Sequence, residues 1–415
     1  MKYLYNFAIF LFGLVLQFLS LFNHKINLFV TGRKETFPKL LSSIKNTDAT
    51  LWIHCASLGE FEQGRPIIEA LYKTTKNYKI VLTFYSPSGY EVQKDYQYAD
   101  LIIYLPIDSV SNARKFLELC HPSMAIFVKY EFWPNMLMEL KAKGIPTILV
   151  SGIFRQDQVF FKPYGGWMKN ALSTFSHFFV QNNTSMSLLE GINFTNVTVS
   201  GDTRFDRVSA ILGQDNSLDF LTEFTKEKTV MVSGSTWPVD EKCLTEFINQ
   251  NEHEDVCFII APHNIHKKEI LKLKNRINKK TVLFSEGIPD QETRVFIVDT
   301  VGLLTKMYSY ADFAYVGGGF DSEGVHNVLE PAVFGVPLII GPIYEKFEEA
   351  KKLVQLKGCL VANTSEELAL HIESLISKPE LRRNMGKITG NYIQNNLGAT
   401  QIILDYIHER VPNIS

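Results

Sequence analysis

Short apolar runs alternate with segments of helical periodicity along most of the chain, and this alternation predicts the fold. Seven runs with the length and composition of strands precede residue 213: 50–56, 79–85, 101–107, 124–129, 146–152, 177–181 and 197–201. Seven more follow residue 228: 229–235, 256–262, 281–285, 294–299, 313–319, 337–342 and 359–363. Strands separated by helices are typical of parallel, doubly wound sheets. The sequence therefore predicts an α/β protein with two Rossmann-like domains that face a cleft.

The polar segment GQDNSLDFLTEFTKEK at 213–228 interrupts this rhythm. We expect it to be an interdomain linker between an N-terminal domain at 25–212 and a C-terminal domain at 229–394. The segment 395–415 has a helical pattern, and we expect it to pack back across the two domains.

The N-terminal residues are apolar enough to associate with a membrane. Residues 3–22 carry no charge and match the length of a membrane span. They are longer than the apolar region of a typical signal peptide, and no small-x-small cleavage site follows them. Asn6, Gln17 and Ser20 interrupt the apolar run, so a helix lying in the membrane plane remains open beside a spanning one. We expect residues 1–24 to be a membrane anchor.

The charges around this anchor predict where the rest of the chain lies. Lys25, Arg33 and Lys34 follow the apolar segment, whereas Lys2 alone precedes it. Positive charges are retained on the cytoplasmic side of a membrane segment. We therefore expect the protein at the cell inner membrane, on the cytoplasmic side.

Composition excludes several other classes of protein. The formal net charge is −2, which gives no electrostatic argument for a nucleic-acid partner. The five cysteines are scattered and form no CxxC pair. This argues against a zinc site or a disulfide framework and is typical of a reducing compartment.

The segment HCASLGEFEQG at 54–64 joins a predicted strand to a predicted helix. Ser57 can cap that helix, with Glu60 at the capping-box position. Parallel α/β folds keep their chemistry at such strand-to-helix turns. Glu60 is therefore either a capping residue or a catalytic carboxylate, and both interpretations remain open, whereas Glu62 has the pattern of a solvated first-turn residue.

The segment YVGGGFDSEGVHNVLEP at 315–331 has the pattern of a nucleotide site. Its glycines let backbone N–H groups approach a ligand, and we expect a helix that opens near His326 to offer free donors to a phosphate. Glu330, one turn into that helix, can accept hydrogen bonds from a ribose diol. Taken singly, the glycines predict a tight turn, and Glu330 is an acidic residue favoured by the helix dipole. Together, after a strand, they favour a nucleotide.

These segments resemble the 3-deoxy-D-manno-octulosonic acid (Kdo) transferases of Gram-negative bacteria. The resemblance is carried, in order, by the apolar N-terminus followed by GRK, and by WIHCASLGE, YEFWPN, GDTRFD, VSGSTWPVDE, DTVGLL and HNVLEP. It implies an inverting glycosyltransferase of GT-B fold that moves Kdo from CMP-Kdo to a lipid A precursor and releases CMP, in lipopolysaccharide core biosynthesis. The N-terminal domain would hold the acceptor and the C-terminal domain the CMP-sugar.

The resemblance also implies the catalytic residues. It places the general base on Glu60, which would take the proton of the acceptor hydroxyl as this hydroxyl attacks the anomeric carbon. Glu131, in YEFWPN, would support the transition state. Arg204, in GDTRFD, stands where the family usually has lysine and would serve the sugar carboxylate and the phosphate leaving group. An exposed ion pair of Arg204 with Asp206, of little energetic weight, remains the alternative.

The resemblance places the CMP site on three segments of the C-terminal domain. These comprise Pro262 and His263; Val301, Gly302 and Leu303; and Asn327, Val328, Leu329 and Glu330. Two positions depart from the family pattern. The family commonly has Pro-Arg-His where this chain reads PHNIH, so His263, His266 or Lys267 would replace the arginine. Leu303 stands where the family has an acidic residue.

No Asp-x-Asp motif follows a strand, so we expect catalysis without an obligatory metal and without a cofactor. The expected partners are the CMP-Kdo donor, the lipid A precursor and the inner membrane. Two alternatives to the transferase are a sugar-nucleotide epimerase of GT-B fold and a non-catalytic membrane-anchored scaffold. The apolar N-terminus argues against the first, and the presence of Glu60 and Glu131 argues against the second.

Overall fold

The computed structural model describes residues 2–411, which divide into two compact units. The first unit comprises the chain up to Arg207 together with the segment from Leu397 onward, and the second is Val208–Asn396. Each unit contains one seven-stranded parallel sheet.

The sheet of the first unit has the strand order β3-β2-β1-β4-β5-β6-β7. Its strands are β1 (Ala49–Cys55), β2 (Tyr78–Phe84), β3 (Leu101–Tyr104), β4 (Pro122–Val128), β5 (Thr147–Gly152), β6 (His177–Val180) and β7 (Val197–Val199). Its helices are α1 (Lys2–Leu19), α2 (His24–Lys34), α3 (Thr36–Ser43), α4 (Leu58–Thr74), α5 (Pro87–Gln93), α6 (Val110–Cys120), α7 (Pro134–Ala142), α8 (Gly166–Leu172), α9 (Asn183–Glu190), α10 (Arg204–Ser209) and, near the end of the chain, α19 (Ala399–Arg410), with a 3-10 turn at Val159–Phe161.

The sheet of the second unit has the order β10-β11-β9-β8-β12-β13-β14. Its strands are β8 (Thr229–Thr236), β9 (Val256–Pro262), β10 (Thr281–Leu283), β11 (Val295–Ile297), β12 (Phe313–Val316), β13 (Leu338–Ile340) and β14 (Cys359–Val361). Its helices are α11 (Asp219–Thr225), α12 (Pro238–Gln250), α13 (Lys267–Asn275), α14 (Leu304–Met307), α15 (Leu329–Ala332), α16 (Glu348–Gln355), α17 (Ser365–Ser377) and α18 (Pro379–Gln394), with 3-10 turns at Ala210–Gly213 and Tyr308–Tyr310.

All fourteen predicted runs are strands, so the α/β prediction is confirmed. The interior strand β1 shows why apolar runs without polar alternation form these sheets. Its side chains point alternately to the two faces. Leu51 and Ile53 pack into one apolar cluster and Trp52 into the other, and all three are fully buried. Helices cover both faces, as parallel sheets require.

The segment 213–228, expected to be a linker, is part of the second unit. It contains helix α11, and Leu218, Leu221 and Phe224 are buried. Their spacing of three residues puts them on one helical face, which gives the segment its own share of the core.

The segment expected to pack back across the domains forms α19 and belongs to the first unit. Its residues Ile403, Leu404 and Ile407 join the apolar cluster that contains Ile67 and Ile68 of α4. The helix therefore covers the same face of the first sheet as α4.

Candidate active site

The three predicted catalytic residues follow strands of the first sheet. Glu60 comes after β1, Glu131 after β4 and Arg204 after β7. Strands β1 and β4 are neighbours, with Ile53 opposite Ile126. Because all strands are parallel, these residues lie at the same edge of the sheet, where α/β folds bind ligands.

Glu60 lies in the first turn of α4, and only 8% of its surface is exposed. Ser57 is the N-cap residue, but its side chain does not cap the helix backbone. Its hydroxyl donates instead to Glu60 Oε2, so the expected capping box is not formed. Glu60 Oε1 lies 3.9 Å from the Lys129 ammonium. A hydroxyl, a cation and the helix N-terminus thus surround the carboxylate.

Glu131 is held by two rings. The indole N–H of Trp133 donates to Glu131 Oε2 at 2.9 Å, and His54 Nε2 lies 3.3 Å from the same oxygen. His54 is fully buried at the end of β1, opposite Thr83 of β2. Its Nδ1 lies 2.9 Å from Thr83 Oγ1, and that oxygen accepts the indole N–H of Trp52 at 2.8 Å.

Counting donors assigns the His54 tautomer. The ionised Glu131 carboxylate can only accept, so its contact with His54 favours the ring proton on Nε2, and Nδ1 is then free to accept from the Thr83 hydroxyl. His54 Nε2 then carries the ring proton and donates it to Glu131. A polar chain thus runs from the sheet interior to Glu131. In the sequence, the one signal for His54 is a histidine inside a mostly apolar strand.

Two residues without glycine's freedom adopt positive φ at this edge. Lys129 has φ 71° after β4, and Ser151 has φ 52° near the end of β5. Such backbone conformations cost on the order of 1 kcal/mol or more and cluster at functional sites. Lys129, the ion-pair partner of Glu60, is a second residue that the sequence analysis missed.

Contacts between α4 and the segment after β7 bring Arg204 near the first turns of α4. Gln63 Nε2 donates to Asp202 at 3.3 Å, and the Thr203 hydroxyl donates to the Gln63 carbonyl. Glu62, expected to be solvated, forms an ion pair with Arg207. These contacts join residues far apart in sequence, so no local pattern predicts them.

Arg204 is oriented by Asp202. Its Nε and Nη2 donate to Asp202 Oδ2 at 2.9 and 2.7 Å. Asp206, the partner considered from sequence, instead accepts from the backbone N–H groups of Gly398 and Thr400 at 2.6 Å each, at the start of α19. Since Asp202 is buried, the pair is more than the exposed contact expected of Arg204 and Asp206.

In the second unit, His263 follows Pro262 at the end of β9 and lies in a stack of three rings. Its ring centroid is 4.7 Å from Trp237 and 4.6 Å from His326, with interplanar angles of 14° and 23°. The Trp237 indole N–H donates to His326 Nε2 at 2.7 Å. Burial, and secondarily the nearby His263, lower the pKa of His326. The neutral ring therefore suits its role as acceptor.

The three glycines after β12 serve close backbone packing. A Cβ at Gly317 would lie 2.4 Å from the Ser235 carbonyl oxygen, and one at Gly319 would lie 2.6 Å from Gly341 N. The N–H of Gly318 donates to Asp240 Oδ2 at 2.9 Å. The three glycines therefore form a tight turn, as expected for the run taken singly. The N–H of Gly318 is already hydrogen-bonded within the protein.

The helix expected to open near His326 begins at Leu329 and has 4 residues. Val328 is its N-cap residue, and Asn327 Oδ1 accepts from Leu329 N at 3.1 Å just before the helix. Glu330 is therefore the second helical residue, not one turn in. A single turn has too few aligned peptides for the dipole that the sequence suggested.

Glu330 brings two of the predicted nucleotide segments together. Its Oε1 accepts from Asn327 Nδ2 at 3.0 Å, and its Oε2 accepts from the Thr305 hydroxyl at 2.9 Å. Thr305 follows the loop of Val301, Gly302 and Leu303, in which Val301 is 75% exposed and Gly302 has φ 90°. The side chains of Val328 and Leu329 are buried, so these two residues can offer a ligand only their backbone.

Within residues 2–411, no group of three or more His, Cys, Asp or Glu side chains is placed to hold a metal ion.

Comparisons with known proteins agree with the motifs and the fold. The family model of 3-deoxy-D-manno-octulosonic-acid transferase (kdotransferase) matches residues 31–207. The 3-deoxy-D-manno-octulosonic acid transferase of Aquifex aeolicus is 27% identical over 369 residues, covering 87% of this chain and 96% of that protein. The enzyme of the same name from Haemophilus influenzae is 24% identical over 374 residues, covering 86% of each.

Among solved structures, the UDP-GlcNAc 2-epimerase of Neisseria meningitidis bound to UDP-GlcNAc superimposes with a TM-score of 0.60 at 14% identity, covering 87% of this chain and 100% of that one. This likeness shows the fold, and the predicted GT-B architecture is confirmed. Residues 31–207 thus match a Kdo transferase domain, and most of the chain is similar to the Kdo transferases of Aquifex aeolicus and Haemophilus influenzae, which supports a glycosyltransferase.

Proposed function

We propose that the protein is an inverting glycosyltransferase that moves Kdo from CMP-Kdo to a lipid A precursor of the lipid IVA type, releasing CMP, in lipopolysaccharide core biosynthesis. One observation carries the proposal: Glu60 and Glu131 follow the neighbouring strands β1 and β4, and each carboxylate is held by protein donors. The family model matched at 31–207 and the names of the relatives supply the sugar.

Glu60 is the general base of this reaction. The acceptor hydroxyl gives its proton to the Glu60 carboxylate while its oxygen bonds to the anomeric carbon of Kdo. The bond between that carbon and the phosphate oxygen breaks, and CMP leaves with the electron pair. The Ser57 hydroxyl and the Lys129 ammonium orient the carboxylate before the transfer.

Glu131 and Arg204 act on the donor sugar. Positive charge develops on the sugar ring as the bond to phosphate breaks, and a fixed carboxylate stabilises it. The rings of His54 and Trp133 fix Glu131 for this purpose. Arg204, oriented by Asp202, provides a cation for the carboxylate of Kdo or the departing phosphate.

The CMP moiety belongs to the second unit. Pro262 and His263 take the place of the family's Pro-Arg-His, with His263 on the phosphate. The loop of Val301, Gly302 and Leu303 and the segment 327–330 hold the nucleoside, and Glu330 accepts from the ribose hydroxyls. No cofactor and no metal enter the reaction.

The acceptor and the membrane complete the proposal. Helix α1 is long and apolar enough to cross a membrane by length and composition, the one helix of this kind among residues 2–411. An acceptor with acyl chains lies in a membrane, so we place the enzyme at the cytoplasmic side of the inner membrane.

The test is CMP release from CMP-Kdo by purified protein, with and without lipid A precursor, followed by mass spectrometry of the lipid. A transferase releases CMP only when the acceptor is present, and the lipid gains the mass of Kdo. Conversion of a sugar nucleotide without acceptor would instead identify an epimerase. A protein that binds CMP-Kdo and releases nothing would be the non-catalytic scaffold.

A further inference from the structure

Helix α1 is docked on the first unit by polar contacts near its beginning. The Tyr5 hydroxyl donates to Asp108 Oδ2 at 2.7 Å. The neighbouring Asn6 Oδ1 accepts from Asn135 Nδ2 at 2.8 Å. The Tyr5 ring also contacts Trp167, with centroids 5.0 Å apart. The helix thus meets the folded body almost at its first residue.

These contacts describe a helix that lies along the unit. Eighteen residues of helix are about 27 Å long. Helix α2, which follows α1, also packs on this unit, since Arg33 Nη2 donates to the Tyr85 carbonyl at 2.6 Å. If α1 crossed a membrane from its junction with α2, Tyr5 would lie far from Asp108. The docked helix therefore favours the in-plane arrangement that the sequence left open.

Asp108, which accepts from Tyr5, also binds backbone N–H groups at the start of α7. Asp108 is 2% exposed, and its carboxylate accepts from the backbone N–H groups of Asn135 at 3.0 Å and Met136 at 2.8 Å. Its carbonyl oxygen also accepts from Asn135 Nδ2 at 2.6 Å. Burial raises the pKa of Asp108, although the Tyr5 hydroxyl and the two backbone donors act in the opposite direction. Asp108 thus serves α1 and α7 together.

The first turn of α7 leads directly to Glu131. Helix α7 begins at Pro134, and Trp133 is its N-cap residue. The Trp133 indole donates to Glu131 Oε2 at 2.9 Å, and its ring stacks on Tyr85 with centroids 4.2 Å apart. A change in where α7 begins would therefore move the donor that fixes Glu131.

We propose that Tyr5 is a positioning residue: by holding Asp108 it sets the start of α7 and, through Trp133, the Glu131 carboxylate. The inference rests on the proposed role of Glu131 in Kdo transfer. Helix α1 then does more than contact lipid, because its docking on the first unit determines kcat. Full activity then requires a docked α1 even when acceptor is delivered in detergent.

The test compares Tyr5→Phe with Tyr3→Phe. Tyr3 is two residues away on the same helix and 89% exposed, so it is a matched control for the loss of one hydroxyl. Phenylalanine at position 5 keeps the ring contact with Trp167. We measure kcat and both KM values with acceptor in detergent micelles. Tyr5→Phe should lower kcat about three- to tenfold, as the loss of one hydrogen bond implies, with both KM values within about twofold of wild type; Tyr3→Phe should match wild type.

Equal kcat in the two variants would overturn the inference, and so would a raised KM for the lipid with unchanged kcat. Hydrogen exchange at the Asn135 and Met136 amides is a second measurement that needs no activity. Exchange should be faster in Tyr5→Phe than in Tyr3→Phe, and equal rates would contradict the docking role. If the wild-type protein transfers no Kdo, the proposed function fails, and hydrogen exchange alone decides whether Tyr5 holds α7.

Discussion

Asparagine and glutamine at position 54 each keep a different one of the two contacts that the His54 ring makes, with Thr83 and with Glu131. In His54→Asn, the short amide reaches the position of Nδ1 and keeps the contact with Thr83, but nothing replaces Nε2. In His54→Gln, the longer amide reaches the position of Nε2 and can still donate to Glu131. Since His54 is fully buried and its Nε2 lies 3.3 Å from Glu131, only the asparagine variant removes a donor from the carboxylate.

The length of that contact sets the magnitude. Hydrogen bonds to charged groups contribute about 1.5–3 kcal/mol, and a 3.3 Å contact belongs at the low end of this range. A loss of about 1.4 kcal/mol in the transition state is a tenfold loss of rate. We therefore expect His54→Asn to lower kcat for CMP release about tenfold and His54→Gln to lower it by about threefold or less, with KM for CMP-Kdo little changed.

The assay is acceptor-dependent CMP release, with thermal unfolding measured on both variants. Equal losses in the two variants would mean that the ring fills space and does not hold Glu131. Wild-type kcat in His54→Asn would refute the reasoning outright. A lower unfolding temperature with unchanged kcat would assign His54 to the core alone.

Three further changes test the other assignments. Glu60→Gln should lower turnover about 10²–10⁴-fold while CMP-Kdo still binds, with Glu62→Gln as the control on the same helix; turnover within a few-fold of wild type would refute the base assignment. Glu330→Ala should weaken CMP binding by about one to two orders of magnitude in calorimetry, whereas Glu323→Ala, before the same helix, should not. Unchanged affinity in Glu330→Ala would mean that the nucleotide binds elsewhere. Burial raises the pKa of Glu241 to about 7, so the folded protein prefers the protonated acid, and stability is lost as pH rises from about 4.5 to about 7. Glu241→Gln should remove this loss, on the order of 2–3 kcal/mol, and parallel unfolding curves for variant and wild type between pH 5 and 8 would contradict it.

The sequence predicted the sheets because their information is local. A run such as TLWIHC is mostly apolar and has no alternation of polar residues, which is typical of a strand buried on both faces, and the other strand runs follow the same pattern. The turn that carries Glu60 was predictable for the same reason, since it lies between a buried strand and an amphipathic helix. Family motifs then gave Glu131 and Arg204 their assignments.

What the sequence missed depends on contacts between distant segments. His54 and Glu131 are 77 positions apart in the sequence. They lie together because β1, which carries His54, pairs with β4, which precedes Glu131. The pairing of β1 with β2 places Thr83 beside the same ring. The glycines at 317–319 resembled a phosphate loop because their close neighbours, Ser235 and Gly341, belong to other strands. The start of α15 was placed too early, since the helix begins at Leu329 and the residues from His326 to Val328 lie before it.

The surroundings of the two carboxylates give a physical reason for dividing the roles between them. Glu60 is held by the hydroxyl of Ser57, which rotates freely about one bond, and lies 3.9 Å from the flexible chain of Lys129. Such partners can reorient when the carboxylate takes up a proton. Glu131 is held by the rings of Trp133 and His54, and both rings are fixed by neighbours on their other sides. A carboxylate that must stay charged opposite a developing positive charge gains from donors that cannot turn away. These surroundings support the proposal that Glu60 is the base and that Glu131 has the electrostatic role.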